Sequence, residues 1–344
     1  MDKEMARFDL VIIGAGITGL SIAHALSDIG LSIGLVEAAG HDVSTSARSA
    51  GMIAPAVEAL SYPDPLTAFK RLRDAAAHWH NQEFLWPEAL RTALDEFVPT
   101  YWRLPSDQGL SDVLRSFGAL TEKIKTVHGS DWVRVTTDTA LNPQVVLKAL
   151  WEECESRGVV TVRSMVKSLN DNCLIFEDDQ TIKTKAIVLA GGFVNEALRG
   201  AIPILKKLKP IKGHLLRLPM GLFKETGENH KAVWRDPNGY GVSLGDFHCF
   251  GASMQPDQHD WDYEAHEIDQ LKQRAQRFGI SQQSLYEALP QVGVRAAFDD
   301  QWPVIAPVEG QDLFICAGLR RNGFVFAPQA AIMVRQWIKG LRLI

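Results

Sequence analysis

Cysteine is scarce in this chain. The four residues, Cys154, Cys173, Cys249 and Cys316, stand far apart and form no C-x-x-C pair. That excludes a disulfide framework and the common zinc spacings, and reads as reduced thiols. Long apolar runs are missing too. No segment offers the ~20 unbroken apolar residues that a membrane-spanning helix needs. The stretch Leu10 to Leu26 has the length of a signal h-region, but Gly14, Gly16, Gly19, Thr18 and His24 interrupt it, and Met1 to Asp9 carries charges of both signs. A cytoplasmic protein is the expectation, with peripheral membrane attachment left open. Blocks of like charge are absent, and the formal net charge is only −5. A nucleic-acid surface or a polybasic patch is therefore not expected. Nor is a metal: His78 and His80 lie two positions apart, which on a helix points them away from each other, and His24 reads as structural. There is no P-loop, triad, internal repeat or flexible linker.

What is there begins at Phe8. Phe8 to Ile13 is a run of strand formers that ends in Gly14-Ala15-Gly16-Ile17-Thr18-Gly19. Apolar residues then recur with helical spacing to Ile29, Gly30 stops the helix, and Leu31 to Val36 reads as a second strand closed by Glu37. This is a dinucleotide-binding βαβ unit. Gly14 turns the chain off the strand, Gly16 removes a Cβ where a pyrophosphate comes close, and Gly19 lets helix and strand pack. The helix N-terminus favours phosphate, and Glu37 is placed for ribose hydroxyls, where it would repel a 2′-phosphate. The fingerprint alone does not choose between NAD and FAD.

The whole chain is 344 residues long, enough for two closely joined domains. Residues 41–55 are small and polar. Residues 67–97 look helical, and 98–139 irregular, with strands near Trp132 to Thr136. A helix over Gln144 to Arg157 follows the cap Asn142-Pro143. Short strands come at 159–176, and buried strands at Ala186 to Ala190 and Leu313 to Ala317. Alternating strands are expected at 211–218 and 240–254, a polar helix at 263–288, and a terminal helix at Ala327 to Leu341.

Three blocks carry a resemblance. Ser44-Thr45-Ser46-Ala47-Arg48-Ser49-Ala50-Gly51-Met52-Ile53-Ala54-Pro55 resembles the flavin-contacting loop of the D-amino-acid oxidase superfamily. Gly293-Val294-Arg295 resembles its G-x-R element, and Ala317 to Pro328 its last flavin-binding turn. Ile187 to Gly192 and Gly251-Ala252-Ser253-Met254 also have counterparts, the glycine oxidases being the most similar members. Residues 56–139 are not clearly covered. The chain departs from the pattern at Ala296, where the family has proline, at Asp300 to Ala306, and at Leu319, where glycine oxidases have histidine.

The resemblance implies an α/β fold (α+β overall), a Rossmann-type FAD-binding domain interleaved with a mixed antiparallel-sheet substrate domain. The first would take residues 1–55, 140–212 and 291–344, the second 56–139 and 213–290. Ile17 and Thr18 would face the pyrophosphate, and Glu37 with Ala38 the adenosine ribose. Thr45, Ser46, Ala50, Gly51 and Met52 would line the flavin, and Val166 would offer its backbone to the adenine end. Leu319, Arg320, Asn322, Gly323, Phe324 and Val325 would wrap the isoalloxazine. Arg295 would bind a substrate carboxylate as a bidentate fork, Arg321 would be a second substrate-side arginine, Tyr240 would help hold the carboxylate, and Met254 would form a pocket wall. The FAD would be non-covalent, since the segment around Arg48 lacks the attaching histidine and Arg295 and its neighbours replace the attaching cysteine of some relatives.

The implied reaction moves a hydride from the α-carbon of an amino acid or small secondary amine to flavin N5. The imine then hydrolyses, and the electrons pass to oxygen, giving hydrogen peroxide, or to another acceptor. Two other readings stay open: a flavin-binding accessory protein without amine oxidation, and an NAD-dependent dehydrogenase. Self-association is also left open.

Overall fold

The computed structural model describes residues 6–81, 85–96, 98–103, 108–125, 131–194, 196–219, 231–341 and 343. Two large sheets organise them. The first has the strand order Val304–Pro307, Leu313–Ala317, Thr181–Leu189, Ala6–Ile13, Ile33–Val36, Val160–Val162. All neighbours in that order are parallel except the edge pair Val304–Pro307 and Leu313–Ala317. Leu10, Val11, Ile12 and Ile13 at its centre are buried on both faces, which is why they form a continuous apolar run rather than an alternating one. Helices Ile17–Leu26, Pro143–Ser156 and Gly323–Gly340 pack on one face. The antiparallel pair Val166–Asn170 and Cys173–Phe176, with Leu198 and Leu205, covers the other. Every residue of Ile17–Leu26 is buried, as befits a helix that is apolar all round.

The second sheet is largely antiparallel. Leu289–Ala297 pairs with Lys209–Leu218, followed by Phe247–Gly251, Gly239–Leu244, Ala232–Asp236, Thr100–Arg103, Asp131–Val135 and Leu120–Lys125. One face is covered by helix Ala265–Phe278, through Leu271, Ala275 and Phe278 against Leu216, Trp234 and Phe250. The other face, with Leu215, Val242 and Cys249, meets Ala50 and Met52 of the loop that follows the βαβ unit.

Several expectations are corrected. The described residues of 98–139 hold more than the strands expected near Trp132 to Thr136, which Asp131–Val135 supplies. Thr100–Arg103 also joins the second sheet, and helix Gln108–Ser116 lies between the two strands. Thr100–Arg103 is too short for alternation to stand out against the flanking charge. The helix expected over 263–288 ends at Gly279, whose φ of +110° closes it, and Gln282–Tyr286 is separate. The last helix starts at Gly323, four residues before the expected start, and carries Pro328 inside it. The boundaries expected at 212/213 and 290/291 both fall inside the paired strands Lys209–Leu218 and Leu289–Ala297. His78 and His80 lie in a 3-10 turn. No helix among the described residues is long and apolar enough to cross a membrane, and none of their His, Cys, Asp and Glu side chains form a group placed to hold a metal ion.

Candidate functional site

The glycine turn is packed as its spacing requires. Gly14 has φ +101°, and a Cβ there would lie 2.7 Å from Ala190 O. A Cβ on Gly19 would overlap the carbonyl oxygen of Gly14, so helix and strand touch only because this residue has no side chain. Gly16 is the N-cap of the helix and makes no side-chain cap bond; a Cβ on it would lie 3.0 Å from Ser46 Oγ. Ile17 N–H donates to that same hydroxyl at 3.1 Å. The Glu37 carboxylate accepts from Ala15 N–H at 2.7 Å and from Ala39 N–H at 3.2 Å, which fixes it beside the turn, with Ala38 exposed next to it. Val166 is buried in the cluster that also holds Val36, beneath this end of the sheet. Thr18 is buried inside the helix, so only its backbone can face an anion.

The loop after the βαβ unit is tied to the Arg295 strand. Thr45 Oγ1 donates to Val294 O at 3.0 Å, and Arg48 Nη1 to Val292 O at 3.1 Å. Gly51, at φ +64°, lies so close to Leu141 that a Cβ would overlap its carbonyl oxygen. Met52–Ile53 pairs with Thr139–Ala140. This loop therefore bridges the two sheets, and Ile17, Thr45, Ser46, Ala50 and Met52 line one cavity between them.

Gly323 and Phe324 line the same cavity from the start of the last helix. The chain reaches them through a tight turn: Arg320 has φ +49°, its N–H donates to Ala296 O at 2.9 Å, and Asn322 N–H donates to Leu319 O at 2.7 Å. The expected wrapping loop is thus half turn and half helix. Phe324 and Val325 are core side chains, so what this segment offers a ligand is its backbone N–H groups. Asn322 is buried, donates to Tyr62 Oη at 3.3 Å, and its Oδ1 has no partner. The Arg320 guanidinium hydrogen-bonds Gln301 Oε1.

Arg295, Tyr240 and Arg321 are brought together in this cavity, and Met254 is not. Arg295 donates a long bond, 3.4 Å, to Ser253 O and has the Tyr240 hydroxyl as a side-chain partner. Its guanidinium lies across Gly213, which pairs directly with Gly293. The missing side chain of Gly213 thus leaves a slot that the fork fills, while Thr45 fills the space over Gly293. Tyr240 sits between Arg235 and Gly251 in the sheet register, and its hydroxyl occupies the space a Cβ on Gly251 would need. Burial raises the Tyr240 hydroxyl above its ordinary pKa, with the neighbouring Arg295 opposing it. Burial likewise pulls Arg295 below its usual value, but a guanidinium stays charged at any physiological pH. Met254 is 44% exposed and lies outside the cavity, because the Ser253 backbone, not the Met254 side chain, turns toward Arg295.

The glycine slot makes a specific prediction. In Gly213→Ala the new methyl meets the Nη1 end of Arg295, a flexible tip, rather than backbone. The fold and flavin content should be kept, while KM for an amino-acid substrate rises about tenfold or more because the fork is displaced. Steady-state kinetics alongside the flavin absorbance checks this; an unchanged KM would show that Arg295 does not need the slot.

Sequence reasoning missed Glu58 and Arg235. Glu58, on the short helix Pro55–Ala59, is almost wholly buried. Its Oε1 pairs with Arg235 Nη1 at 2.9 Å and its Oε2 with Arg321 Nη2 at 2.8 Å. Burial pushes its carboxyl up, but Arg321 and then Arg235 outweigh that and hold it at about 2. Arg321 is therefore in the cavity but already paired. Arg235 could have been suspected from its cross-strand position beside Tyr240, though only the pairing reveals it. Nothing in the sequence marked Glu58.

The family model for FAD dependent oxidoreductases (DAO) matches residues 9–337. The chain belongs to that family. The description of that family, FAD dependent oxidoreductase, agrees with what the three sequence blocks implied, and the NAD-dependent reading is set aside. Among curated relatives, the bifunctional protein ThiO/ThiG of Trichormus variabilis is 25% identical over 96% of this chain and 52% of the relative. The chain thus spans about half the length of that relative. A glycine oxidase from Bacillus licheniformis is 22% identical over 97% of this chain and 94% of its own. Among solved structures, glycine oxidase from Geobacillus kaustophilus superposes with a TM-score of 0.77 at 20% identity, covering 98% of this chain and 95% of the other. That likeness speaks for the fold.

The residues fit the cofactor. Two helices, Ile17–Leu26 and Gly323–Gly340, begin at one cavity, and neither N-cap residue makes a side-chain cap bond. Two positive helix ends converging on a cavity suit a ligand with anionic groups at two places, a pyrophosphate and a reduced isoalloxazine.

Proposed function

We propose that the chain oxidises a small amino acid or secondary amine at the carbon bearing the nitrogen. The observation that carries this is the Arg295 guanidinium, held in a glycine slot beside Tyr240 with no carboxylate of its own. The glycine oxidases among the relatives support the substrate class.

Bound FAD supplies the two-electron acceptor for this reaction. The chain supplies position. Arg295 takes the substrate carboxylate as a two-pronged fork, with the Tyr240 hydroxyl adjacent to donate a further bond. That fixes the opposite end of a small substrate against the wall made by Ala50, Met52 and Ile17. The apolar part of this wall disfavours an ammonium, so the amine is bound in its neutral, oxidisable form. Two of the four cysteines, Cys249 and Cys154, are buried with their thiols pushed up to about 12, so neither is a nucleophile for this chemistry.

The test is anaerobic. The purified protein should be yellow, release FAD into the supernatant on acid precipitation, and bleach on addition of glycine, sarcosine or a short D-amino acid. Amines without a carboxylate should bleach it poorly. Flavin retained on the pellet would reject non-covalent binding. Bleaching by simple amines in preference to amino acids would reject the substrate class, and no bleaching by either would favour a flavin-binding accessory role.

A further inference from the structure

We propose that Glu58 occupies the place of a second substrate carboxylate, and so restricts the site to substrates with only one. This rests on the amino-acid reading above. The cavity that holds Arg295 is also lined by Arg48, Arg235, Arg320 and Arg321, and among its lining residues Glu58 is the sole acid. The guanidiniums of Arg295, Arg235 and Arg321 are not equivalent. Arg295 meets a backbone carbonyl at 3.4 Å and the Tyr240 hydroxyl, with no carboxylate paired to it among the described residues. Arg235 and Arg321 come from separate elements, a strand and the turn before the last helix, yet both close on the two oxygens of one carboxylate, at 2.9 and 2.8 Å.

That is the geometry a bound dicarboxylate would create, with one end on Arg295 and the other between Arg235 and Arg321. Here the second end is built into the chain. Glu58 is tethered on a helix whose start is fixed, so its effective concentration exceeds that of any free carboxylate. A substrate bringing a second carboxylate has to displace it and leave a buried acid unpaired, which is the costlier arrangement. Specificity then comes from a penalty on the wrong substrate as much as from attraction to the right one.

The experiment uses holoenzyme and reads the oxidised flavin spectrum during titration with acetate and with malonate, succinate and glutarate, none of which can be oxidised as an amine. In the wild type the best dicarboxylate should bind no tighter than acetate. In Glu58→Gln, which keeps the side-chain shape but frees both arginines, the best dicarboxylate should gain at least about tenfold over acetate. Glu58→Asp, which keeps the charge, should retain the wild-type ratio. The proposal is overturned if a dicarboxylate already binds the wild type more than about tenfold tighter than acetate, a result that needs no variant to fold. It is also overturned if Glu58→Gln retains flavin and leaves the ratio unchanged. If acetate perturbs the wild-type flavin and glycine-type substrates bleach it, failure of the dicarboxylate shift touches Glu58 alone. If neither happens, the amino-acid reading itself fails.

Discussion

Arg295→Ala should lower kcat/KM for an amino-acid substrate by about 3–5 kcal/mol, the cost of leaving a buried carboxylate without its partner. That corresponds to a loss of roughly a hundred- to several-thousand-fold. Flavin content should not change, because Arg295 lies in the second sheet, whereas the uncapped helix starts at Gly16 and Asn322 belong to the first. Arg295→Lys separates charge from geometry. A lysine keeps the positive end but presents a point charge where the substrate has two oxygens. It should raise KM by about tenfold, one lost charge-assisted bond, with kcat less affected. Simple amines should be poor substrates of the wild type and indifferent to both changes. Stopped-flow reduction with amino acid and amine in parallel checks this. Normal amino-acid kinetics in Arg295→Ala would make Arg295 structural and remove the main support for the substrate class.

The parts of this protein that the sequence made legible share a physical reason. The βαβ unit was readable because each of its glycines answers a steric demand that no other residue meets, as the overlap of a Cβ on Gly19 with Gly14 O shows. Arg295 was readable because Gly293, two residues earlier, leaves the room in which Thr45 ties the flavin-side loop to this strand. The strand near residue 100 was not, whereas the one near Trp132 was, because Thr100–Arg103 is only a few residues long and takes its structure from pairing partners far along the chain, such as Ala232–Asp236. Met254 does not line the cavity, since a motif gives a position along the chain, not the side to which a side chain turns. Glu58 was invisible for a deeper reason. A buried acid is written like any surface acid in a helix, and only the arrival of Arg235 and Arg321 from distant segments makes its burial affordable in energetic terms.

The same helix depends on a second buried acid. Asp138 accepts Ala56 N–H at 2.9 Å and Val57 N–H at 3.1 Å, one on each carboxylate oxygen, and Thr137 Oγ1 donates to it at 3.1 Å. These are the orphan donors at the start of Pro55–Ala59, the helix that carries Glu58. Asp138→Ala leaves two buried N–H groups unpaired at about 1–3 kcal/mol each, so a total loss of roughly 2–6 kcal/mol at pH 7.5 is expected in urea unfolding. Loosening this helix should also disturb the Glu58 pairs and weaken substrate binding, with flavin still bound. The pH dependence identifies the cause. Burial pushes the Asp138 carboxyl up to about 6, with the two backbone bonds only partly opposing it. A carboxyl raised in the folded chain takes up its proton more readily there than in the unfolded chain. Its contribution to stability is therefore lowest above about 6 and grows as the pH falls toward the unfolded value near 4. The wild type should gain on Asp138→Ala by on the order of 1 kcal/mol between pH 7.5 and pH 5. Glu58, held at about 2, stays ionised across this range and adds nothing to the difference. A gap that stays constant or narrows toward pH 5 would show that Asp138 caps the helix without titrating as its burial demands.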